Sequence, residues 1–273
     1  MIGTIAAARR RLASAADPPP LAWRLRGLGV CASTERELEH WLLRQPPAPG
    51  QPLVQPRAVL AAHQRFGHGQ QGRPWQAPPG GVWISAALPW TTVTPSSSAQ
   101  GDSPAASPAA ALGLAVAVGL AQELEAFGLA VRLKWPNDLL VVDGDGTPRK
   151  LAGLLPRLRW RGGVSRWAQV GVGLNGRNRV PAGAISLAQA LGGRSHPATD
   201  PLALAARVLR ALEWAVAHGG LAEAVRQQAE RRLWWDAQPL PHQGSWWWVE
   251  GLAADGGLRL RSGLRHTTLH RRF

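Results

Sequence analysis

Lysine and asparagine are rare in this chain, and their positions indicate where its polar chemistry lies. Among 31 Lys plus Arg residues in 273, only Lys134 and Lys150 are lysines, and the asparagines are Asn137, Asn175 and Asn178. Four of the five fall inside short polar motifs, and Asn178 lies three residues after the last of these motifs. Chemistry that needs a compact ammonium group or an amide gives a physical reason for keeping these residue types there.

A glycine-rich motif runs from Gln64 to Trp75, with the sequence Gln-Arg-Phe-Gly-His-Gly-Gln-Gln-Gly-Arg-Pro-Trp. Its glycines allow the backbone to approach a ligand closely, and consecutive N–H groups can form an anion-binding nest. Arg73 adds a fixed charge suited to phosphate. A tight surface turn has similar glycines, so this motif alone is not specific.

A second motif, Lys134-Trp135-Pro136-Asn137-Asp138, lies at the end of a predicted strand. Proline interrupts the strand ladder there and turns the following polar pair outward. Two interpretations stay open at this point. Either the motif takes part in chemistry, or a buried Lys134 forms a simple ion pair with Asp138.

Two further motifs follow. Lys150 begins the apolar run Lys-Leu-Ala-Gly, and a hairpin predicted around residues 143–146 returns it toward the strand that carries Asp138. In Gly171-Val-Gly-Leu-Asn175, two glycines within a strand indicate a close backbone approach. The amide of Asn175 both donates and accepts, which suits the reading of a base edge.

The elements that position these motifs follow from apolar periodicity and capping residues. Strands are expected near 23–32, 57–63, 82–88, 131–135, 139–142, 150–158 and 167–174; helices near 34–44, 109–127, 200–219 and 221–232; a Ser/Pro/Thr-rich mobile loop at 91–108; and short strands between 246 and 269. Thr34 and Glu37 fit a capping box. Without strict βαβ alternation, the predicted class is α+β with a mixed, mainly antiparallel sheet and a small β-barrel-like tail.

Composition excludes several classes of protein. A single cysteine, Cys31, rules out an intramolecular disulfide and a cysteine-rich zinc site. The longest apolar run, 109–121, is well short of the roughly 20 residues of a membrane span. The net charge of +14 would suit a nucleic-acid binder, but the arginines are scattered and form no basic stripe. We interpret residues 1–20 as a disordered extension rather than a transit peptide.

In this order and at this spacing, the four motifs resemble those of the biotin–protein ligases, from about residue 23 through the C-terminal region. The resemblance implies a catalytic domain related to class II aminoacyl-tRNA synthetases over 21–234 and an SH3-like β-barrel over 235–273. It implies a cytoplasmic enzyme, monomeric or homodimeric, that binds neither nucleic acid nor membrane. The reaction would join biotin to ATP, with Mg²⁺, and transfer biotin from biotinyl-5′-AMP to the biotin carboxyl carrier protein of acetyl-CoA carboxylase.

The resemblance also implies site residues, with no fixed metal ligands. It places biotin next to Ser33, Thr34, Glu35, Gln64, His68, Gly69, Gln70 and Lys150. It places ATP next to Gln70, Gln71, Arg73, Lys134, Asn137 and Asn175, with residues 180–186 as the flanking adenine loop. Lys150, Arg73 and Asp138 would be catalytic.

The chain departs from the family pattern at positions that matter for retention of the adenylate. Glu35 stands where asparagine is common, and His68, Gln70 and Gln71 stand where many relatives have arginine. The segment before the catalytic region is too short for a DNA-binding winged helix, so no repressor function is expected. The alternatives are a lipoate or octanoate ligase of the same superfamily, a non-catalytic binding homologue, and a basic nucleic-acid binder.

Overall fold

The structure is a computed structural model that describes residues 2–12, 18–47, 53–90, 108–142, 145–161, 164–193, 196–218 and 223–270. Its elements, in chain order, are α1 (Ile2–Leu12), β1 (Arg24–Cys31), α2 (Thr34–Arg44), β2 (Arg57–Gln64), β3 (Val82–Leu88), α3 (Pro108–Glu125), β4 (Val131–Lys134), β5 (Asp138–Val142), β6 (Pro148–Arg161), β7 (Val164–Leu174), α4 (Leu187–Ala190), α5 (Pro201–Ala217), α6 (Glu223–Arg232), β8 (Leu240–His242), β9 (Ser245–Leu252), β10 (Leu258–Ser262) and β11 (Arg265–Leu269). The predicted loop at 91–107 and part of the predicted turn, 143–144, lie outside the described residues.

The main sheet has seven strands in the order β1-β2-β3-β7-β6-β5-β4. The β1–β2 pair is parallel, and the pairs that follow it across the sheet are antiparallel. This confirms the predicted α+β class with a mixed, mainly antiparallel sheet. Helices α3 and α5 pack against each other and against this sheet, and their apolar residues form the main core. In the described part of the chain, no helix is both long and apolar enough to cross a membrane.

A second, four-stranded antiparallel sheet has the order β11-β10-β9-β8. It matches the β-rich tail expected from the sequence, whereas closure into an SH3-like barrel stays a prediction. Strand β8 was not predicted because it is three residues long and contains a proline. Such a strand is tolerated at a sheet edge, where its missing N–H costs no ladder bond.

The start of α2 differs from the prediction. Its N-cap is Ser33, whose side chain accepts a hydrogen bond from the Glu35 N–H, so Thr34 is the first helical residue. The expected Thr34–Glu37 capping box is therefore wrong. The difference matters for the site, because it leaves the Thr34 hydroxyl free to take other partners.

The N-terminal segment is more ordered than predicted. Residues 2–12 form α1, which packs on α5, and Ile5 is completely buried. Ala8 and Leu12 pack against the same core, so the helix has an apolar stripe at helical spacing. The prediction of a disordered extension is wrong for these residues, since the composition rich in Ala and Arg concealed that short stripe.

A buried carboxylate on α5 ties the N-terminal segment to the core. Glu213, only 5% exposed, accepts hydrogen bonds from the Leu21 N–H (3.0 Å) and the Trp23 indole N–H (2.9 Å). Arg9 of α1 forms an ion pair with the same oxygen at 3.1 Å. One side chain thus satisfies three donors from two segments.

Glu213→Ala should destabilise the protein by about 3 kcal/mol, because it leaves these donors without an acceptor in a buried site. Urea unfolding measures the loss. Arg10→Ala, at an exposed position of α1, is the control and should change stability by less than about 0.5 kcal/mol. Equal effects of the two variants would contradict the assigned role.

The same carboxyl gives a pH signature. Burial raises the pKa of Glu213, against the opposing effect of Arg9. A group whose pKa is raised on folding stabilises the fold less as pH rises from its ordinary value, about 4.3, through the raised value. The stability of the wild type relative to Glu213→Gln should therefore fall with rising pH across that range.

Candidate active site

A cavity of about 620 Å³ opens on the main sheet, within the size range of small-molecule sites. Its walls are the start of α2, the glycine-rich loop after β2, the turn between β4 and β5, the inner parts of β6 and β7, and residues 181–184. Lining residues that the sequence singled out are Ser33, Thr34, Glu35, Gln64, His68, Gly69, Gln70, Arg73, Lys134, Asn137, Asp138, Lys150 and Asn175.

Gln71 is a predicted site residue that is not among the residues lining this cavity. Its backbone has a φ of 57°, and its side-chain oxygen accepts a hydrogen bond from Arg73 at 2.9 Å. Both side chains are exposed. Gln71 therefore contacts Arg73, which is a candidate for binding phosphate, but does not itself line the cavity.

The glycine-rich loop folds back on itself beside the cavity, and backbone hydrogen bonds join its two arms. The Gly69 N–H donates to Arg73 O (2.8 Å) and the Trp75 N–H donates to Gly67 O (2.9 Å). The buried amide nitrogen of Gln70 has no hydrogen-bond partner among the described residues. A buried donor without a partner is costly, so Gln70 is suited to donate to a ligand.

Lys150 is held inside the cavity by Asp138. The Lys150 Nζ lies 2.7 Å from Asp138 Oδ1, and both side chains are largely shielded from solvent. The hairpin of β5 and β6 brings them together, as the sequence predicted. Of the two interpretations left open for the second motif, the buried ion pair between Lys134 and Asp138 is wrong, because Lys134 is exposed at the cavity rim, with its Nζ 5.8 Å from the Trp234 ring centre.

Trp75, at the end of the glycine-rich loop, forms part of the cavity floor. Its indole lies on Gly173 of β7, where an added Cβ would be 2.6 Å from the ring, and close to Gly153 of β6. The Lys150 Nζ lies 5.0 Å from its ring centre. The sequence placed Trp75 in the glycine-rich motif but did not assign it to the site. The strand glycines predicted that another group lies close to the β7 backbone, and that group is the Trp75 ring.

A chain of polar side chains crosses the opposite end of the cavity. Gln64 Oε1 accepts from the Thr34 N–H (2.7 Å) and the Thr34 hydroxyl (3.0 Å), and that hydroxyl lies 2.8 Å from Ser85 Oγ. The Gln64 amide N–H groups therefore stay available to a ligand. Sequence reasoning did not predict Ser85 as a site residue. The feature that could have indicated it is a single hydroxyl side chain in the otherwise apolar strand β3.

The two predicted amides have structural partners. Asn137 donates to Leu154 O (2.6 Å), which fixes the β4–β5 turn against β6. Buried Asn175 accepts from Asn178 (3.1 Å) and donates to Lys150 O (3.4 Å). The side-chain oxygen of Asn175 already accepts a hydrogen bond from Asn178. To a nucleotide base, Asn175 can therefore offer the second N–H of its side-chain amide.

Glu35 is the most heavily paired carboxylate at the cavity among the described residues. Its oxygens lie 2.7 Å from His68 Nε2 and 2.7 Å from Arg157 Nη1, and the Gln169 amide donates to it at 3.3 Å. Arg157 and Gln169 were not predicted. They lie far along the chain on β6 and β7, and nothing in their local sequence distinguishes them.

Comparison with known proteins agrees with this architecture. The model of the biotin/lipoate A/B protein ligase family matches residues 44–175. The bifunctional ligase/repressor BirA of Salmonella typhimurium is 36% identical over 121 residues, which cover 43% of this chain and 32% of the relative. The match thus spans about a third of that protein.

Solved structures resemble this chain over most of its length. A biotin protein ligase from Aquifex aeolicus, in complex with biotin and ATP, has a TM-score of 0.63 at 20% identity and covers 92% of this chain and 95% of its own. A biotin acetyl coenzyme A carboxylase synthetase from Helicobacter pylori has a TM-score of 0.53 at 21% identity, covering 89% and 98%. At such identities the likeness establishes the fold. The sequence similarity to the biotin/lipoate A/B protein ligase family covers residues 44–175, just under half of the chain.

Proposed function

We propose that this protein is an ATP-dependent biotin–protein ligase. It forms biotinyl-5′-AMP and pyrophosphate, then transfers biotin to a lysine of the biotin carboxyl carrier protein of acetyl-CoA carboxylase. The observation that supports this most directly is the Lys150–Asp138 pair inside a cavity whose other end is lined by the Thr34–Gln64–Ser85 chain. Because ATP is a substrate, we propose a cytoplasmic location.

The first step must bring two anions together, a carboxylate and the α-phosphate. The ammonium group of Lys150 lowers their repulsion and stabilises the charge that develops at phosphorus. Asp138 holds this ammonium group in place, so little reorganisation is needed during the reaction. Gln70 and Arg73 of the glycine-rich loop add donors for phosphoryl oxygens, and Gln70 does so without a formal charge.

The uncharged end of biotin suits the far end of the cavity. There the Gln64 amide nitrogen is available as a donor, while Thr34 and Ser85 fix its orientation. Donors that are positioned before binding discriminate strongly against ligands that lack the matching acceptor. This end of the cavity is where a ureido ring would be read.

Mg²⁺ fits this site as the companion of ATP rather than as a resident ion. In the described part of the chain, no group of three or more His, Cys, Asp or Glu side chains converges on one point. Both carboxylates at the cavity, Asp138 and Glu35, are already paired with cationic or donor side chains. Phosphate oxygens and water would supply most ligands of the ion, as is usual for Mg²⁺.

In the second step, the lysine of the carrier must lose a proton before it attacks the adenylate. Asp138 is the proposed acceptor, since it is the carboxylate beside Lys150 at the reacting end of the cavity. Closure of the glycine-rich loop keeps water from the adenylate until that attack.

The test is transfer itself. Purified protein is incubated with biotin, MgATP and a biotin carrier domain, and the mass of the carrier is followed. We expect a shift that corresponds to one biotin, and none when lipoate or octanoate replaces biotin. Absence of transfer, with an active control ligase in parallel, would refute the proposed function; transfer of lipoate or octanoate instead would reassign the substrate within the family.

A further inference from the structure

Two departures from the family pattern, far apart in the sequence, contact each other in the structure. Glu35, where asparagine is common, lies at the start of α2, and His68, where arginine is common, lies in the glycine-rich loop. Their side chains are joined at 2.7 Å, with only 29% of the His68 side chain and 10% of the Glu35 side chain exposed. This partly buried pair links the loop to the body of the protein.

The carboxylate of Glu35 is held in place from the opposite side. Arg157 of β6 lies 2.7 Å from its other oxygen, and Gln169 of β7 donates to that same oxygen. Arg159 in turn donates to Gln169 at 3.2 Å. The Glu35 carboxylate that pairs with His68 is therefore already fixed by the main sheet, so closing the loop does not require ordering it.

We propose that Glu35 is a positioning residue that holds the glycine-rich loop closed over the cavity through His68. Arginines in this loop would close it by contacting anionic substrate, whereas His68 closes it by contacting the protein. Glu35 itself need not touch biotin. The kinetic consequence, slower escape of biotinyl-5′-AMP, rests on the proposed function, but the closure of the loop does not.

The chain offers a matched control one helical turn further along α2. Glu39 pairs with Arg159 of β6, as Glu35 pairs with Arg157 two residues earlier on that strand. Glu39 does not line the cavity. Glu39→Gln thus removes a carboxylate of the same helix and the same pairing type that contacts neither the loop nor Glu35, and Arg159 retains Gln169 as an acceptor.

Hydrogen exchange of residues 67–73 in the ligand-free protein measures loop closure directly. Glu35→Gln and His68→Gln should each speed exchange by about tenfold, the effect of losing one charge-assisted hydrogen bond. The double variant should exchange no faster than either single variant, and Glu39→Gln should match the wild type. His68→Arg, which keeps an N–H donor opposite Glu35, should restore slow exchange.

Unchanged exchange in His68→Gln, which keeps the Glu35–Arg157 pair and so protects the fold, would overturn the proposal. Additive effects in the double variant would overturn it as well. Release of biotinyl-5′-AMP without carrier should rise about tenfold in both single variants, in step with exchange. If the wild type makes no adenylate, the proposed function fails while the exchange result still stands; if adenylate release rises without faster exchange, loop positioning is refuted and the ligase activity stands.

Discussion

Replacing Lys150 with alanine is expected to reduce biotin-dependent pyrophosphate release by about 10³-fold, the typical effect of removing a positioned stabiliser of transition-state charge. The ammonium group is held 2.7 Å from Asp138 inside the cavity, where the proposed reaction brings two anionic substrates together. Removing it leaves their repulsion uncompensated and Asp138 without its cation. Pyrophosphate release under single-turnover conditions measures the loss, because it isolates adenylate formation from transfer.

Two further variants make this test specific. Lys134→Ala removes the other lysine, which is exposed at the rim and contacts Trp234, so we expect a loss of no more than about tenfold, mainly in the KM for ATP. Arg132→Ala, an exposed residue on the same strand, should leave the rate unchanged. A larger loss in Lys134→Ala than in Lys150→Ala would reverse the roles assigned to the two lysines.

Substituting alanine for Gly173 should destabilise the protein by about 1–3 kcal/mol and raise the KM for biotin and ATP. The new Cβ would lie 2.6 Å from the indole of Trp75, which packs against Gly173 of β7 and Gly153 of β6. The ring has to move, and because Trp75 ends the loop, the loop moves with it. Thermal unfolding and steady-state kinetics measure the two effects.

A smaller side chain at position 75 tests whether the indole of Trp75 is what requires glycine at position 173. In the background of Trp75→Leu, the further change Gly173→Ala should cost much less stability than it does in the wild type. Gly29→Ala on β1, where an added Cβ meets no atom within 4 Å, is the control and should be neutral. An equal cost of Gly173→Ala in both backgrounds would show that the indole is not what requires glycine there.

Local patterns predicted most of the fold. The apolar run 82–88 predicted β3 with its observed bounds, and the N-cap Asp200 with Pro201 correctly marked the start of α5. The order of the motifs was enough to bring Lys150 to Asp138, because a hairpin fixes which strand returns beside which. What the sequence alone does not fix is which side chains at a strand end are exposed. It therefore left open an ion pair of Lys134 with Asp138, whereas Lys134 is exposed and Asp138 pairs with Lys150.

Long-range polar partners were beyond sequence reasoning. Gln169 reaches Glu35 across 134 residues, and Arg157 resembles the other arginines of β6. Only the folded sheet, which brings these two side chains to Glu35, distinguishes them. The prediction of a disordered extension failed because an 11-residue helix is marginal in isolation, although Ala and Arg favour it. Tertiary contacts stabilise it, with Ile5 in the core and Arg9 on Glu213.

An acyl adenylate that escapes from such a site acylates whatever neutral amine it meets first. On this protein the cationic surface is almost entirely guanidinium, which stays protonated and does not compete as a nucleophile. Lys134, exposed at the rim of the cavity, is the side-chain amine placed to intercept an escaping intermediate, whereas Lys150 is engaged with Asp138 inside it. On the proposed function, the arginine-rich composition limits self-modification of the protein and concentrates what remains of it at Lys134.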